Sequence, residues 1–227
     1  MSVAIIIQAR MSSSRLPGKV LRPIAGKPLI AWLLERLEVA GLGELVWVAT
    51  SDAPSDDPIV EYCSSTGRNC VRGPLDDVAA RFLTVMSQRG HRAAARISGD
   101  SPLLDPTLVR EAIEIFEAKS VDLVTNVNPR TYPPGQSVEV FSRSALERAY
   151  STMEAASERE HVTPRLYSSP DFSVRNFSSP TDLSGIRLVV DTPEDFSRME
   201  RLLQALPSPT SAPLADIVKC YQSLRLC

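Results

Sequence analysis

The chain has 227 residues, 43% of them hydrophobic, and a formal net charge of −2. That length buries one sizeable core without needing a second domain, and the charge balance excludes a nucleic-acid binder, whose basic face would cover much of the chain. Apolar runs are too short to span a membrane, and the amino end carries neither a basic n-region nor a cleavage site, so neither a membrane partner nor a secretory leader is expected.

Residues 3–7 (VAIII) are β-branched and almost free of polar side chains, the pattern of a strand buried on both faces of a parallel sheet. A loop of small and basic residues follows, with Arg10, Arg15 and Lys19 around Ser12, Ser13 and Ser14, and a Pro17-Gly18 turn ahead of the lysine. Serine and glycine let backbone N–H groups face a common hollow, and the cations make it a place for oxyanions such as a polyphosphate. Arg22 and Lys27 add to the charge, and the first acid is Glu35. The plainer alternative is a solvated basic loop. Neither GxxxxGK[ST] nor GxGxxG is present.

Residues 28–40 have helical spacing and end at Gly41 and Gly43, and 44–50 form a second buried strand with Ser51-Asp52 at its carboxyl end, where open α/β sheets place ligand contacts. A helix over 57–66 and a brief strand over 69–71 lead to a turn at Gly73 and an amphipathic helix through Val78, Phe82, Leu83 and Met86. Asp76 or Asp77 near its start complements the helix dipole.

The strand 93–97 ends in Ser98-Gly99-Asp100, a carboxylate just past a buried strand and after a glycine, well placed to hold a hard cation against phosphate oxygens. Asp105-Pro106 is an N-cap followed by proline at the first helical position, so Asp105 is the structural aspartate of the two. A strand over 121–127 runs into NPRTYPPGQ, an irregular loop that either covers a site or meets a partner subunit. Residues 137–142 alternate, placing Glu139 opposite Val138 and Val140, where it binds a ligand or faces solvent.

Ser157 to Glu160 matches a capping box opening a helix toward Leu166, and it concentrates Arg159, Glu160, His161 and Arg165 within two turns. Intrahelical pairing on a charged surface is the plainer explanation of that cluster from the residues alone. An edge strand over 173–177 and a buried strand over 187–190 (RLVV) precede Asp191-Thr192-Pro193. Thr192 and Pro193 start a helix, which leaves Asp191 unexplained and in the same arrangement as Asp100. A linker over 207–213 and a closing helix over 214–224 complete the chain. The alternation of strands and helices argues an α/β fold, a three-layer α/β/α sandwich on a mostly parallel sheet. Cys63, Cys70, Cys220 and Cys227 form no CxxC pair, and with His91 and His161 the only histidines they assemble no zinc site, so free thiols in a reducing cytoplasm are expected.

The segments QARMSSSRLPGKVL and IAGKPLI, with RISGDSPLLDP and VDTPEDF further on, resemble the signature of the cytidylyltransferases that make CMP-activated sugars, the CMP-KDO and acylneuraminate synthetases. RTYPPGQSVEVF and EREHVTP resemble the spore-coat-polysaccharide branch of that family. The resemblance runs from Val3 to about Phe196 and implies the Rossmann-like nucleotidyltransferase fold, one domain over residues 1–227 with 126–170 as a substrate and dimerisation subregion. It implies CTP as substrate, held by Arg10, Ser14, Arg15, Lys19, Gly73, Asp77 and Gly99, and Mg²⁺ held by Asp100 and Asp191. Lys19, Arg15 and Asp100 would be catalytic. Acceptor binding falls to Glu139, Arg159, His161 and Arg165, with His161 either a sugar ligand or a structural residue. The expected protein is a homodimer that transfers CMP to a sugar acid or a sugar or polyol phosphate for a surface glycan. A nucleotide-sugar-dependent glycosyltransferase is a rival disfavoured by the lack of an Asp-x-Asp motif, and a nucleotide-binding protein without turnover is a second.

Overall fold

The computed structural model describes residues 3–88 and 90–226. Val3–Gln8 forms β1, followed by the basic loop and a small antiparallel hairpin of β2 (Pro23–Ile24) and β3 (Lys27–Pro28). Positive φ at both turn residues, Ala25 at 47° and Gly26 at 91°, gives this two-residue turn the twist hairpins require. Next come α1 (Leu29–Val39), β4 (Val46–Ser51), α2 (Asp57–Ser65), β5 (Cys70–Gly73), α3 (Val78–Gln88), β6 (Ala93–Ser98) and α4 (Pro106–Ala118). The chain continues through β7 (Leu123–Thr125), β8 (Glu139–Ser142), α5 (Arg143–Tyr150), α6 (Ala156–His161), α7 (Pro164–Ser168) and β9 (Val174–Asn176). It closes with α8 (Pro193–Ala205) and α9 (Leu214–Ser223).

One seven-stranded sheet has the order β5-β4-β1-β6-β8-β7-β9. β5, β4, β1 and β6 run parallel, while β8 pairs antiparallel with both β6 and β7, and β7 pairs parallel with β9. β1 explains the VAIII run: Val3, Ile5 and Ile7 enter the core under α1, α2 and α4, while Ala4 and Ile6 enter the one under α3 and α5. A strand buried on both sides has no polar face to show. A third apolar group joins the basic loop and hairpin (Leu16, Ile24) to α8 and α9. Arg36 of α1, 1% exposed, clamps this layer by donating to Leu104 O at 2.8 Å, to Ala212 O at 2.7 Å and to Pro209 O. Burial pushes its guanidinium down to about 10 despite the nearby Asp105 charge.

Two local expectations are corrected. Residues 187–190 join no ladder: Leu188 N donates to Pro134 O at 2.8 Å and Val190 N to Asp100 O at 3.0 Å, so this apolar run is an extended segment pinned across the sheet's end. Gly135 permits that crossing, since a Cβ there would lie 2.4 Å from the Leu188 carbonyl and its φ is +99°. The segment after Ser157 is two short helices, because Val162 turns to a φ of 68° between them; Glu158 caps the first by accepting from the amides of Glu154 and Ala155. The alternating residues 137–142 supply β8, the strand that pairs antiparallel with both neighbours inside the main sheet. The proline-rich loop is tied inward by Gln136, fully buried, whose side chain bridges Leu103 O and Asp105 N. Cys63, Cys70 and Cys220 are free thiols, and Cys227 lies outside the described residues.

Candidate active site

β1 is the strand from which the chain runs to β4 on one side and meets β6 on the other, so its carboxyl end is the switch point of the sheet. The chain leaves the sheet there through Ala9, whose amide still donates to Ala49 O at 3.1 Å. Met11 organises the loop: its carbonyl accepts from Ser13 N at 3.0 Å and Gly18 N at 2.8 Å, and its amide donates to Asp56 Oδ1 at 2.7 Å. Asp56 is fully buried, and its other oxygen accepts from Thr50 Oγ1, Ser51 N and Ser51 Oγ at 3.2, 3.1 and 2.5 Å. One carboxylate thus fastens the loop to the end of β4. Ser51 serves this anchor and Asp52 is exposed, so neither is a cleft residue as their position at the strand end suggested. The amides of Ser13, Gly18 and Lys19 bond within the loop, which reduces the expected nest of free N–H groups.

The Pro17-Gly18 turn, with Gly18 at φ +71°, delivers Lys19 inward. Its ammonium donates to Asp100 Oδ2 at 2.7 Å, Asp191 Oδ1 at 2.9 Å and Val190 O at 2.8 Å, with the side chain 9% exposed. Two carboxylates 91 positions apart, one past the end of β6 and one past the extended segment 187–190, therefore share one cation. Asp100 is brought up by Gly99, whose amide donates to Gln8 O at 2.9 Å and whose hypothetical Cβ would meet that same carbonyl at 3.0 Å. Asp191 also takes Arg15 at 3.1 Å and Arg187 at 2.9 Å. Burial pushes the Asp191 carboxyl up, but the Lys19 hydrogen bond and the charges of Lys19, Arg15 and Arg187 outweigh it and hold it below the ordinary carboxylate range.

Asp195 supports this corner from the first turn of α8. It exchanges a capping box with Thr192, accepts from the Asp191 amide at 3.0 Å, and takes Arg187 and Arg198 at 2.8 and 2.7 Å. Burial works against its ionisation, yet the Arg187 hydrogen bonds and the Asp191 amide win and hold it at about 2, against 3.8 ordinarily. A depressed carboxylate stabilises the fold above its unfolded pKa and loses that contribution as pH falls through the folded one. Asp195→Asn should therefore destabilise the protein by about 2 kcal/mol at pH 7, with the gap closing between about pH 4 and pH 2. Urea midpoints of both proteins at pH 7 and pH 3 measure it; an equal gap at the two pH values would exclude the ionised carboxylate as its source.

Arg15, Lys19, Gly99, Asp100 and Asp191 line a cleft of about 260 Å³ together with Arg10, Ser13, Ser14, Gln8, Arg81, Ser98, Glu160 and His161. Arg10 pairs with Glu160 at 2.7 Å, so α6 closes over the loop. Of the candidates read from sequence, Arg10, Ser14, Arg15, Lys19, Gly99, Asp100, Asp191 and His161 meet here. Arg22 and Lys27 do not: one lies 4.5 Å from the Phe196 ring centroid, the other 3.7 Å from that of Trp32. Gly73 acts indirectly, since a Cβ there would come within 2.9 Å of Arg81 Cγ. Asp77 caps α3 by accepting from Ala80 N at 2.8 Å and holds Tyr150 OH at 2.8 Å and Arg159 at 3.3 Å, so Asp77 and Arg159 join α3 to α6 beside the cleft rather than lining it. Arg165 bonds Thr152 Oγ1 at 3.1 Å and pairs with Glu158 at 3.8 Å, also outside the lining. Glu139 is 3% exposed and does not face solvent; it is held by Arg96 and, at 2.6 Å, by Tyr167 OH.

Sequence reasoning missed Arg81, Asp56 and Gln8. Arg81 is 1% exposed, donates to Pro74 O and Leu75 O at 2.7 and 3.1 Å, and leaves Nε without a partner among the described residues. Its spacing was a signal, because three residues after Val78 puts it on the apolar face of α3, where an arginine needs a reason. Asp56 and Gln8 had none, since the Met11 amide that Asp56 holds lies 45 positions away and Arg96, which holds Gln8, lies 88 positions away.

As for a metal, Asp100 and Asp191 fit a hard divalent cation: two carboxylate oxygens converge on one point already held by positive charge. Among the described residues no group of three or more His, Cys, Asp or Glu surrounds such a point, so phosphate oxygens and water would complete the shell.

A mostly parallel sheet with helices on both faces and a cationic cleft at its switch point defines the class, an α/β protein of the nucleotidyltransferase-like fold. The family model described as cytidylyltransferase matches residues 4–223, and the chain belongs to that family. It is 31% identical over 211 residues to the spore coat polysaccharide biosynthesis protein SpsF of Bacillus subtilis, covering 89% of this chain and 86% of that one. A solved cytidylyltransferase from Leptospira borgpetersenii superposes with a TM-score of 0.94 at 29% identity, over 99% of this chain and 95% of that one. CMP:2-keto-3-deoxy-manno-octonic acid synthetase, solved with CTP, shares the fold at a TM-score of 0.69 and 23% identity, over 90% of this chain and 99% of that one. Among the described residues no helix is long and apolar enough to cross a membrane.

Proposed function

We propose that the protein transfers CMP from CTP to a sugar acid or a sugar or polyol phosphate, releasing pyrophosphate, in the making of a surface polysaccharide. The observation that carries this reading is the meeting of Lys19, Arg15, Asp100 and Asp191 at the sheet's switch point. Arg10, Arg15 and Lys19 receive the triphosphate and offset the charge that grows on the departing pyrophosphate as the bond to the α-phosphorus breaks. Asp100 and Asp191 would hold Mg²⁺, which supplies charge neutralisation at the phosphate oxygens when bound. Lys19 and both carboxylates are largely shielded from water, so their charges act strongly on phosphates bound beside them. A lysine beside the reacting phosphate lowers the pKa of an approaching hydroxyl, so a dedicated side-chain base is not required. Residues 126–170 supply acceptor binding, with His161 at the cleft mouth, and the contact between two copies in a cytoplasmic homodimer.

The test is pyrophosphate release from CTP and Mg²⁺ with a panel of acid sugars and of sugar and polyol phosphates. Release with one acceptor class identifies the substrate. CTP binding with no release from any acceptor would instead favour a binding protein without turnover.

A further inference from the structure

We propose that Gln8 is a nucleoside-positioning donor, its amide locked with the NH₂ group turned into the cleft to meet an acceptor atom of the bound nucleoside. The inference rests on the CTP reading above and adds a specificity-determining residue to it.

The main chain of Gln8 is held from both sides, by register with Ala49 and Ser98 and by the amide of Gly99 on its carbonyl at 2.9 Å. Its side-chain Oε1 accepts from Arg96 Nε at 3.0 Å. Arginine only donates, so the amide oxygen alone can face it; a flipped amide would set NH₂ against the guanidinium. Arg96 cannot turn away, because its Nη1 is engaged by the buried Glu139. Glu139 is in turn fixed by Tyr167 OH at 2.6 Å, and Tyr167 by Thr125 Oγ1 at 2.7 Å. This chain runs through β6, β8, α7 and β7 and starts at Gln8, a lining residue of the cleft whose Nε2 has no hydrogen-bond partner among the described residues.

The occupant follows from the two halves of the cleft. Leu16 and Val190, which flank the Lys19 corner, pack in the apolar group of α8, so Lys19, Asp100 and Asp191 stand on that side, while Arg81 on the Gln8 side spends its Nη1 on the Pro74 and Leu75 carbonyls. Gln8 continues the Ala4 and Ile6 face under α3, beside Val78 and Arg81. Phosphates are matched by the cations. A neutral donor on the other half matches a carbonyl oxygen, a ring nitrogen or a ribose hydroxyl.

Titration calorimetry of wild type and Gln8→Met with CTP and with inorganic tripolyphosphate tests this. The variant should bind CTP about tenfold more weakly and tripolyphosphate within about twofold of wild type, since one neutral hydrogen bond to the nucleoside is removed. Unchanged CTP affinity, or a parallel loss for both probes, overturns the proposal. Should Gln8→Met fail to fold, Gln8→Glu keeps the size and a contact to Arg96 but carries no N–H, and retention of CTP affinity in it overturns the proposal equally. A wild-type protein that binds tripolyphosphate but not CTP would remove the underlying nucleotide reading, and this proposal with it.

Discussion

Asp100→Asn is expected to lower turnover about a thousandfold while leaving the fold intact, because it removes one of the two negative charges at the reacting phosphates. The backbone around it does not depend on the carboxylate: Gly99 N bonds Gln8 O, and Val190 N bonds the Asp100 carbonyl. An asparagine oxygen can still accept from Lys19, so little stability should be lost. Thermal melting compared with the rate of pyrophosphate release separates the two effects. A near-normal rate would take Asp100 out of the reacting centre.

Lys19→Met should reduce turnover by a similar factor, about a thousandfold, and lower stability by about 2 kcal/mol, because it leaves two partly buried carboxylates facing each other. Arg15 and Arg187 still reach Asp191, which limits the cost. The distinctive result concerns divalent cations. In the wild type the ammonium stands where a cation between Asp100 and Asp191 would go, so Mg²⁺ without nucleotide must compete with it. Removing the lysine should enlarge the rise in melting temperature that Mg²⁺ produces. An equal or smaller rise in Lys19→Met would mean that the two carboxylates do not form one cation locus.

Local chemistry was readable along the chain wherever cause and effect lie close together. Asp105 caps α4 by accepting from Thr107 N at 2.9 Å, and Thr192 caps α8 by accepting from Asp195 N at 3.2 Å, as their spacing indicates. Both β1 and the turn at Gly18 follow from composition within a few residues. RLVV did not, because a buried apolar run looks the same whether it joins a ladder or is pinned across the strand ends by Pro134 and Asp100. Glu139 did not either: alternation places it off the apolar face, but only β6 and α7 reveal that Arg96 and Tyr167 await it there.

What the sequence by itself determined is the alternating α/β order, the basic loop after a fully buried strand, and two aspartates that each follow a short apolar run, all set by periodicity, turn geometry and charge within short windows. Only the tertiary structure decided that Lys19 joins those aspartates, that Asp56 fastens the loop, that Arg22 and Lys27 stay out of the cleft, and which way the Gln8 amide points. The reason is physical: hydrogen bonds and ion pairs between distant residues depend on strand order, and strand order is a property of the whole core.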